Sequence, residues 1–384
     1  MRVPLTYCLA PMDCVIVGAG TFGSSLAWWL ARSGERVTLV DQFGPGDPRA
    51  SSGGETRLYR CAHGPDSEYT AMARRAQTLW RQLGEESGEE LLVECGMAWF
   101  AHREDGWEVE SERTLIEQGI PVERLEVAEA SKLYPSFRGD DLAFVLLEPE
   151  GGVLRAERSM LALAGQAVAH GARIVRGRAL QDGAAVVLEG GTRLEGDVVV
   201  WACGPWLAKL FPDLVSLKVT QQELLFFDGG PAWRALGLPG WCDYELSRYG
   251  TADIDEVGIK AALDDEGPPV DPDSDLPSTT RTEADVRAYL RERFPALGDA
   301  PLVGARSCRY EITADTRLIA ASHPEHPSVW IVGGGSGHGF KHGPPIAERL
   351  ANVFSSGKTM PADFSLGERS PLRSLRTASS GMET

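Results

Sequence analysis

The 384-residue chain has no cysteine framework. Its seven cysteines (Cys8, Cys14, Cys61, Cys95, Cys203, Cys242 and Cys308) are odd in number and widely spread, and no Cys-x-x-Cys occurs. That argues against a disulfide scaffold and a zinc site and points to a reducing, cytoplasmic location. Most of these thiols should be small buried hydrophobes. No run of about 18 apolar residues is present, so no membrane-spanning helix is expected. Positive charge is also scarce: 38 Lys and Arg stand against 55 Asp and Glu, a net charge of −17. Such a surface repels phosphate backbones and anionic lipid, so neither nucleic acid nor membrane is an expected partner. There is no Gly-x-Ser-x-Gly elbow, no phosphate-loop lysine motif and no internal repeat. His323-x-x-His326 sits in a proline-rich turn without further ligands, and no metal is expected.

The 43% hydrophobic and 24% charged fractions are ordinary for a globular protein, and the length suits two or three domains. Residues 1–12 carry one charge, Arg2, and read as a short flexible leader. The apolar run Cys14–Val17 predicts a strand, Phe22 to Arg32 has helical spacing, and Arg36–Asp41 predicts a second strand. Further strands are expected at Arg173–Arg176, Val186–Leu188, Asp197–Ala202 and Ser328–Val332. Helices are expected at Glu157–His170, Thr282–Phe294 and from about Pro345 to Ser355. Gly267–Thr282, rich in Pro, Asp and Ser, reads as a loop, and residues 367–384 read as a flexible tail.

Between the first strand and the first helix lies Gly18-Ala19-Gly20-Thr21-Phe22-Gly23, a G-x-G-x-x-G turn. Asp41 ends the next strand 18 residues after Gly23, followed by Gln42. The first glycine allows the tight turn, the second lets backbone approach a pyrophosphate, and the third lets helix and strand pack closely. The helix N-terminus offers free N–H groups and partial positive charge, and the acid suits ribose hydroxyls. Strand, turn, helix, strand and acid in this order specify a dinucleotide site but do not separate NAD from FAD. The acid disfavours the extra phosphate of NADP.

Several further blocks keep their order along the chain. They are Ser51-Ser52-Gly53-Gly54-Glu55-Thr56-Arg57-Leu58-Tyr59-Arg60, Tyr249-Gly250, Gly258-Ile259-Lys260, Cys308-Arg309-Tyr310 and Gly335-Ser336-Gly337-His338-Gly339-Phe340-Lys341. Together they resemble the monomeric sarcosine oxidase and N-methyltryptophan oxidase family, within the D-amino-acid-oxidase-like flavoproteins. The resemblance runs from about Cys14 to Phe354. It implies an α/β protein with a dinucleotide-binding FAD domain built on a parallel sheet, and a substrate domain with a large mixed sheet. The expected division is 13–90, 150–212 and 305–360 for FAD, and 91–149 and 213–304 for substrate. By the same analogy a monomer is expected.

The resemblance further implies site residues. Cys308 matches the cysteine that carries FAD through a thioether, and Arg306 and Arg309 beside it could lower its thiol pKa. Lys260 matches a lysine beside the flavin that favours oxygen reduction, because a fixed cation stabilises developing superoxide. Arg60 and Lys341 match two cations that hold a substrate carboxylate. Tyr249 and Tyr310 match aromatics near the substrate. Arg57, Ser51 and Ser52 are expected on the flavin and pyrophosphate side, the loop Gly335, Gly337, His338, Gly339 and Phe340 beside the ring, and Leu180 near the adenine half. Read alone, most of these would be core or solvated groups; their joint spacing lifts them.

Two departures from the family pattern matter. Its substrate-side histidine is Asp264 here, and a histidine in the early loop is Gly53. An acid at 264 would suit a cationic or hydroxyl-bearing substrate, or belong to a solvated acidic run with Asp265 and Glu266. The expected activity is therefore oxidation of an N-substituted or cyclic amino acid by FAD with O2 as acceptor. Alternatives are a dehydrogenase of an amino or hydroxy acid with another acceptor, a tailoring oxidase of secondary metabolism, and a flavin-binding protein without turnover.

Overall fold

The computed structural model describes residues 10–234 and 237–378. Residues 1–9 of the expected leader and 379–384 of the expected tail lie outside the described residues. The first strand, Asp13–Val17, pairs in parallel with Arg36–Asp41 on one side and Val198–Trp201 on the other. The sheet extends to Arg173–Arg176 at one edge, and to Val329–Gly333 and the antiparallel Ile319–Ser322 at the other. Its central strands are buried and continuously apolar, as parallel strands covered on both faces must be.

Alternation sorts the two faces. Cys14 and Ile16 point into a core with the helices Thr21–Arg32, Ala156–Ala169 and Gly343–Ser356. Val15 and Val17 point the other way, against Val186 and Leu188 of a small three-stranded sheet. The helices Glu157–His170 and Thr282–Phe294 expected from spacing occupy Ala156–Ala169 and Glu283–Arg293.

The turn after Asp13–Val17 tolerates only glycine at two places. Gly18 has φ +105°, and a Cβ there would lie 2.3 Å from the Ala202 carbonyl oxygen. A Cβ on Gly23 would lie 1.9 Å from the Gly18 carbonyl oxygen. The helix can therefore sit directly on the strand and aim its N-terminus along the sheet's carboxyl edge.

The larger sheet has eight strands, in the order Leu302–Ile312, Lys218–Phe227, Ile259–Leu263, Arg248–Thr251, Gly240–Asp243, Met97–Ala101, Phe144–Glu148 and Glu123–Leu125. It is mixed, because Gly240–Asp243 and Met97–Ala101 run parallel and the other pairs antiparallel. Leu225, Phe227, Ile259 and Ala261 face a core completed by Val286, Leu290 and Phe294. Leu224, Phe226, Ala262 and Cys308 face the other side, with Tyr249 and Tyr310 against them. With a side-chain period of two, Lys260 falls on this second face, between Ile259 and Ala261.

The tail differs from expectation. Past Gly367 the chain turns inward, and Ser374, Leu375, Arg376 and Thr377 are buried. Composition suggested disorder, but specific partners hold the segment. Tyr244 Oη donates to the Ser374 carbonyl at 2.8 Å, and Leu375 N–H donates to Thr316 Oγ1 at 3.0 Å.

Candidate active site

Two cavities are lined by the expected residues, one at the carboxyl ends of the parallel strands and the other against the large mixed sheet. The first, about 220 Å³, is lined by Gly18, Gly20, Thr21, Phe22, Asp41, Gln42, Ser51, Ser52 and Leu180, with Trp206 and Glu311. The second, about 70 Å³, is lined by Arg57, Arg60, Tyr249, Lys260, Asp264, Cys308, Tyr310, Gly337, His338, Phe340, Lys341 and Arg376, among others. The expected site residues thus gather in two adjoining groups. Ala19, Gly23, Gly335 and Gly339 line neither cavity and act as framework.

In the first cavity the Asp41 carboxylate is already in use. It accepts from Ala19 N–H at 2.7 Å and from Phe43 N–H at 2.6 Å, as well as from Gly44 N–H. These bonds hold the glycine turn and the following loop together and leave about one lone-pair position free. The Thr21–Arg32 helix has no side-chain cap from Gly20, and Thr21 N–H donates to Ser52 Oγ at 2.9 Å. Free N–H groups at an uncapped helix start, a glycine cradle and a roomy cavity are what a dinucleotide pyrophosphate requires. FAD therefore fits these residues. Sequence reading missed Glu311, whose carboxylate accepts from Ser51 Oγ at 2.7 Å and Gly335 N–H at 3.3 Å. Burial raises its pKa, and the Ser51 bond opposes the shift. Its signal was a lone acid directly after Cys308-Arg309-Tyr310.

One strand ties the cavities together. In Thr56–Tyr59, Arg57 donates to the Ser51 and Gly53 carbonyls at 2.8 and 2.6 Å and so fixes the cofactor-side loop. Lys260 Nζ donates to the Thr56 carbonyl at 3.0 Å and to Thr56 Oγ1 at 2.9 Å. Burial, with Arg57 nearby, lowers the Lys260 pKa to about 7, while Glu55 and Cys308 pull the other way. Thr21 Oγ1 donates to the Phe340 carbonyl at 2.9 Å, which binds the helix start to the Phe340–His342 turn.

Cys308 corrects one expectation. Burial raises its thiol pKa, outweighing Arg57, Lys260 and Arg309. Arg306 turns instead to Glu55, at 3.1 Å, and Arg309 donates to the Arg49 and Ser274 carbonyls. Strand alternation places Arg309 on the face opposite Cys308, whereas Arg306 shares the Cys308 face and lies over the Phe226 ring, bonded to Glu55.

Arg60 and Lys341 are both buried. The Arg60 guanidinium lies 5.0 Å from the Trp99 ring centre and donates to the Ala62 and Leu375 carbonyls. Among the described residues Lys341 Nζ reaches only the His338 carbonyl, at 3.3 Å. Burial and then Arg60 push the Lys341 pKa far down. Beneath them His63, His338 and His342 form a group whose ring nitrogens could hold a metal. Burial and the Lys341 and Arg60 charges keep all three imidazoles neutral. The phenols of Tyr249 and Tyr310 stand 3.4 Å apart and line the same cavity.

Asp264 belongs to no solvated loop. It is buried, and its carboxylate accepts from Arg376 Nη1 at 2.6 Å. Neither residue's pairing was legible, because the partner comes from a tail whose composition reads as disordered.

With this geometry established, similarity places the chain. Residues 13–353 match the family model described as FAD dependent oxidoreductase, and the chain belongs to that family. It is 29% identical to monomeric sarcosine oxidase of Bacillus sp. (strain B-0618), over 90% of this chain and 93% of that one. It is 27% identical to N-methyl-L-tryptophan oxidase of Yersinia pestis (strain Pestoides F), over 92% and 97%. The crystal structure of L-proline dehydrogenase from P. horikoshii shares the fold, with a TM-score of 0.82 and 20% identity over 92% of this chain and 96% of that one.

Asp264→Asn leaves the buried Arg376 cation without its counter-charge and should cost about 3–5 kcal/mol of unfolding free energy. Asp265→Asn, whose carboxylate is 43% exposed against Arg248, should cost less than about 1 kcal/mol. Urea unfolding of the two variants checks the contrast.

Proposed function

We propose that the protein is an FAD-dependent oxidase of an N-substituted or cyclic amino acid. The observation that carries this reading is the convergence of buried Arg60, Lys341, Lys260 and Cys308 on one cavity. FAD held there would supply a hydride acceptor and a route for the two electrons to O2, with hydrogen peroxide as the second product. The protein contributes binding, orientation and electrostatics.

Arg60 and Lys341 receive the substrate carboxylate. Arg60 presents a planar fork held in place by two carbonyls, and Lys341 adds a point charge. An arriving carboxylate favours the protonated form of Lys341, whose pKa burial has lowered. Two cations at the carboxylate end also favour the neutral form of the substrate amine, which gives up hydride more readily. Tyr249 and Tyr310 line the same cavity and keep water from the reacting carbon. The product imine is then open to hydrolysis by water.

Lys260 supplies the cation for oxygen reduction. Its position, bonded to Thr56 next to Arg57, keeps it on the cavity face of the large sheet. Cys308 is the residue to carry FAD covalently. The net change replaces the thiol S–H and one methyl C–H by a C–S bond, and two electrons and two protons pass to O2 as hydrogen peroxide. Burial raises the Cys308 thiol pKa and so disfavours the thiolate, the reacting form.

Acid precipitation tests the attachment. Yellow colour should stay with the wild-type polypeptide and leave with the supernatant of Cys308→Ser. Colour freed from the wild type refutes a thioether.

The lysine makes a pH prediction with a fixed sign. A pKa lowered to about 7 means the Lys260 cation is present below that pH and lost above it. The second-order rate of flavin reoxidation by O2 should fall by about tenfold or more as pH rises from 6 to 9. Lys260→Met should be slow at every pH. Stopped-flow reoxidation measures both, and a flat wild-type profile contradicts the role.

A further inference from the structure

Arg376 is a buried cation that the activity described so far does not use. It is 3% exposed and lines the smaller cavity. One nitrogen, Nη1, is spent on Asp264. Its Nε and Nη2 have no partner among the described residues. A buried guanidinium with two unpaired donors is costly, and those donors call for an acceptor.

The residue is firmly positioned. Its guanidinium lies 5.2 Å from the Tyr310 ring centre. Gly337 allows this approach, because a Cβ there would lie 2.6 Å from both Arg376 Cδ and Tyr310 Cε2. Just before it, the Ser374 and Leu375 backbone is bonded to Tyr244 and Thr316, and the Leu375 carbonyl accepts from Arg60 Nη2 at 2.8 Å; just after it, Ala378 N–H donates to the Tyr244 carbonyl at 3.1 Å. The tail thus touches both walls of the cavity. Arg60 lies over Trp99, while Arg376 stands over Tyr310.

We infer that Arg376 is a specificity-determining residue that binds a second carboxylate on the substrate through Nε and Nη2. The inference rests on the reading of Arg60 and Lys341 as the site for the first carboxylate. Asp264 neutralises only one face of the guanidinium and fixes its orientation, leaving the other face to an anion. A planar fork with two free N–H donors matches a carboxylate in shape and charge. The substrate class is then a small secondary or cyclic amine with two carboxylates. The modest cavity, about 70 Å³, leaves little room for a bulky apolar side chain.

The test uses the FAD-loaded protein and unreactive probes, acetate with one carboxylate and malonate and glutarate with two. Binding is read from the perturbed visible absorption of the flavin. A dicarboxylate should bind the wild type at least about tenfold more tightly than acetate. Arg376→Gln should erase that gain while leaving acetate affinity within about threefold, and Arg376→Lys should retain part of it. Because Arg376→Gln strands a buried carboxylate, the pair Asp264→Asn with Arg376→Gln is measured as well and should lose the gain equally. Acetate binding that Arg60→Gln weakens, with no dicarboxylate gain in the wild type, overturns the inference alone. A gain that survives in the double variant overturns it too. Acetate binding indifferent to Arg60→Gln overturns the carboxylate reading on which it stands.

Discussion

Uncompensated positive charge in a dry cavity is the constraint on which the site depends. Arg60, Lys260, Lys341 and Arg376 are each at most 6% exposed. Among the described residues only Asp264 forms a salt bridge with any of them. Burying an ion costs several kcal/mol unless it is paired and hydrogen-bonded. The protein meets that cost in three ways. Arg60 and Lys260 donate hydrogen bonds to fixed carbonyls, Lys341 and the imidazoles below it are driven towards neutrality, and Arg376 leans on one carboxylate. What remains is a pocket with a strong preference for an anion. In the proposed function, that preference orients the substrate carboxylate before any chemistry begins.

The framework that carries these charges is economical. The large mixed sheet presents alternate residues to the cavity, so Lys260, Tyr249, Cys308 and Tyr310 arrive together from three strands. The small strand Thr56–Tyr59 does the joining. Through Arg57 it fixes the cofactor-side loop, through Thr56 it holds Lys260, and its next residue is Arg60. A shift of this strand would move cofactor and substrate contacts at once, which couples the two cavities mechanically.

Much of this was legible in the sequence, for identifiable reasons. The glycine turn and Asp41 are local, and steric contact with Gly18 and Ala202 permits no other residues at the critical places. The parallel strands are legible because burial on both faces leaves an unbroken apolar run. Arg60, Lys260, Cys308 and Lys341 were named through resemblance; strand alternation explains the placing of Lys260 and Cys308, while Arg60 follows the strand Thr56–Tyr59 and Lys341 sits in the Phe340–His342 turn. The tail was not legible. Its burial depends on single long-range bonds, such as Tyr244 to Ser374 and Arg376 to Asp264, and no periodicity or composition encodes them. The thiol environment of Cys308 was misread for a related reason. Of the neighbours in sequence, Arg309 alternates to the opposite face and Arg306 turns to Glu55, and burial governs instead.

The central claim is that a carboxylate-bearing amine reduces the flavin while held by Arg60 and Lys341. The most direct measurement is anaerobic mixing of the FAD-loaded protein with a panel of N-methyl, cyclic and dicarboxylic amino acids, recording the visible flavin absorption, followed by admission of O2. The account predicts that at least one member bleaches the flavin, that Arg60→Gln abolishes bleaching at the same concentration, and that O2 restores the colour with one peroxide per flavin. Absence of bleaching across the panel, or bleaching as fast in Arg60→Gln as in the wild type, would contradict it.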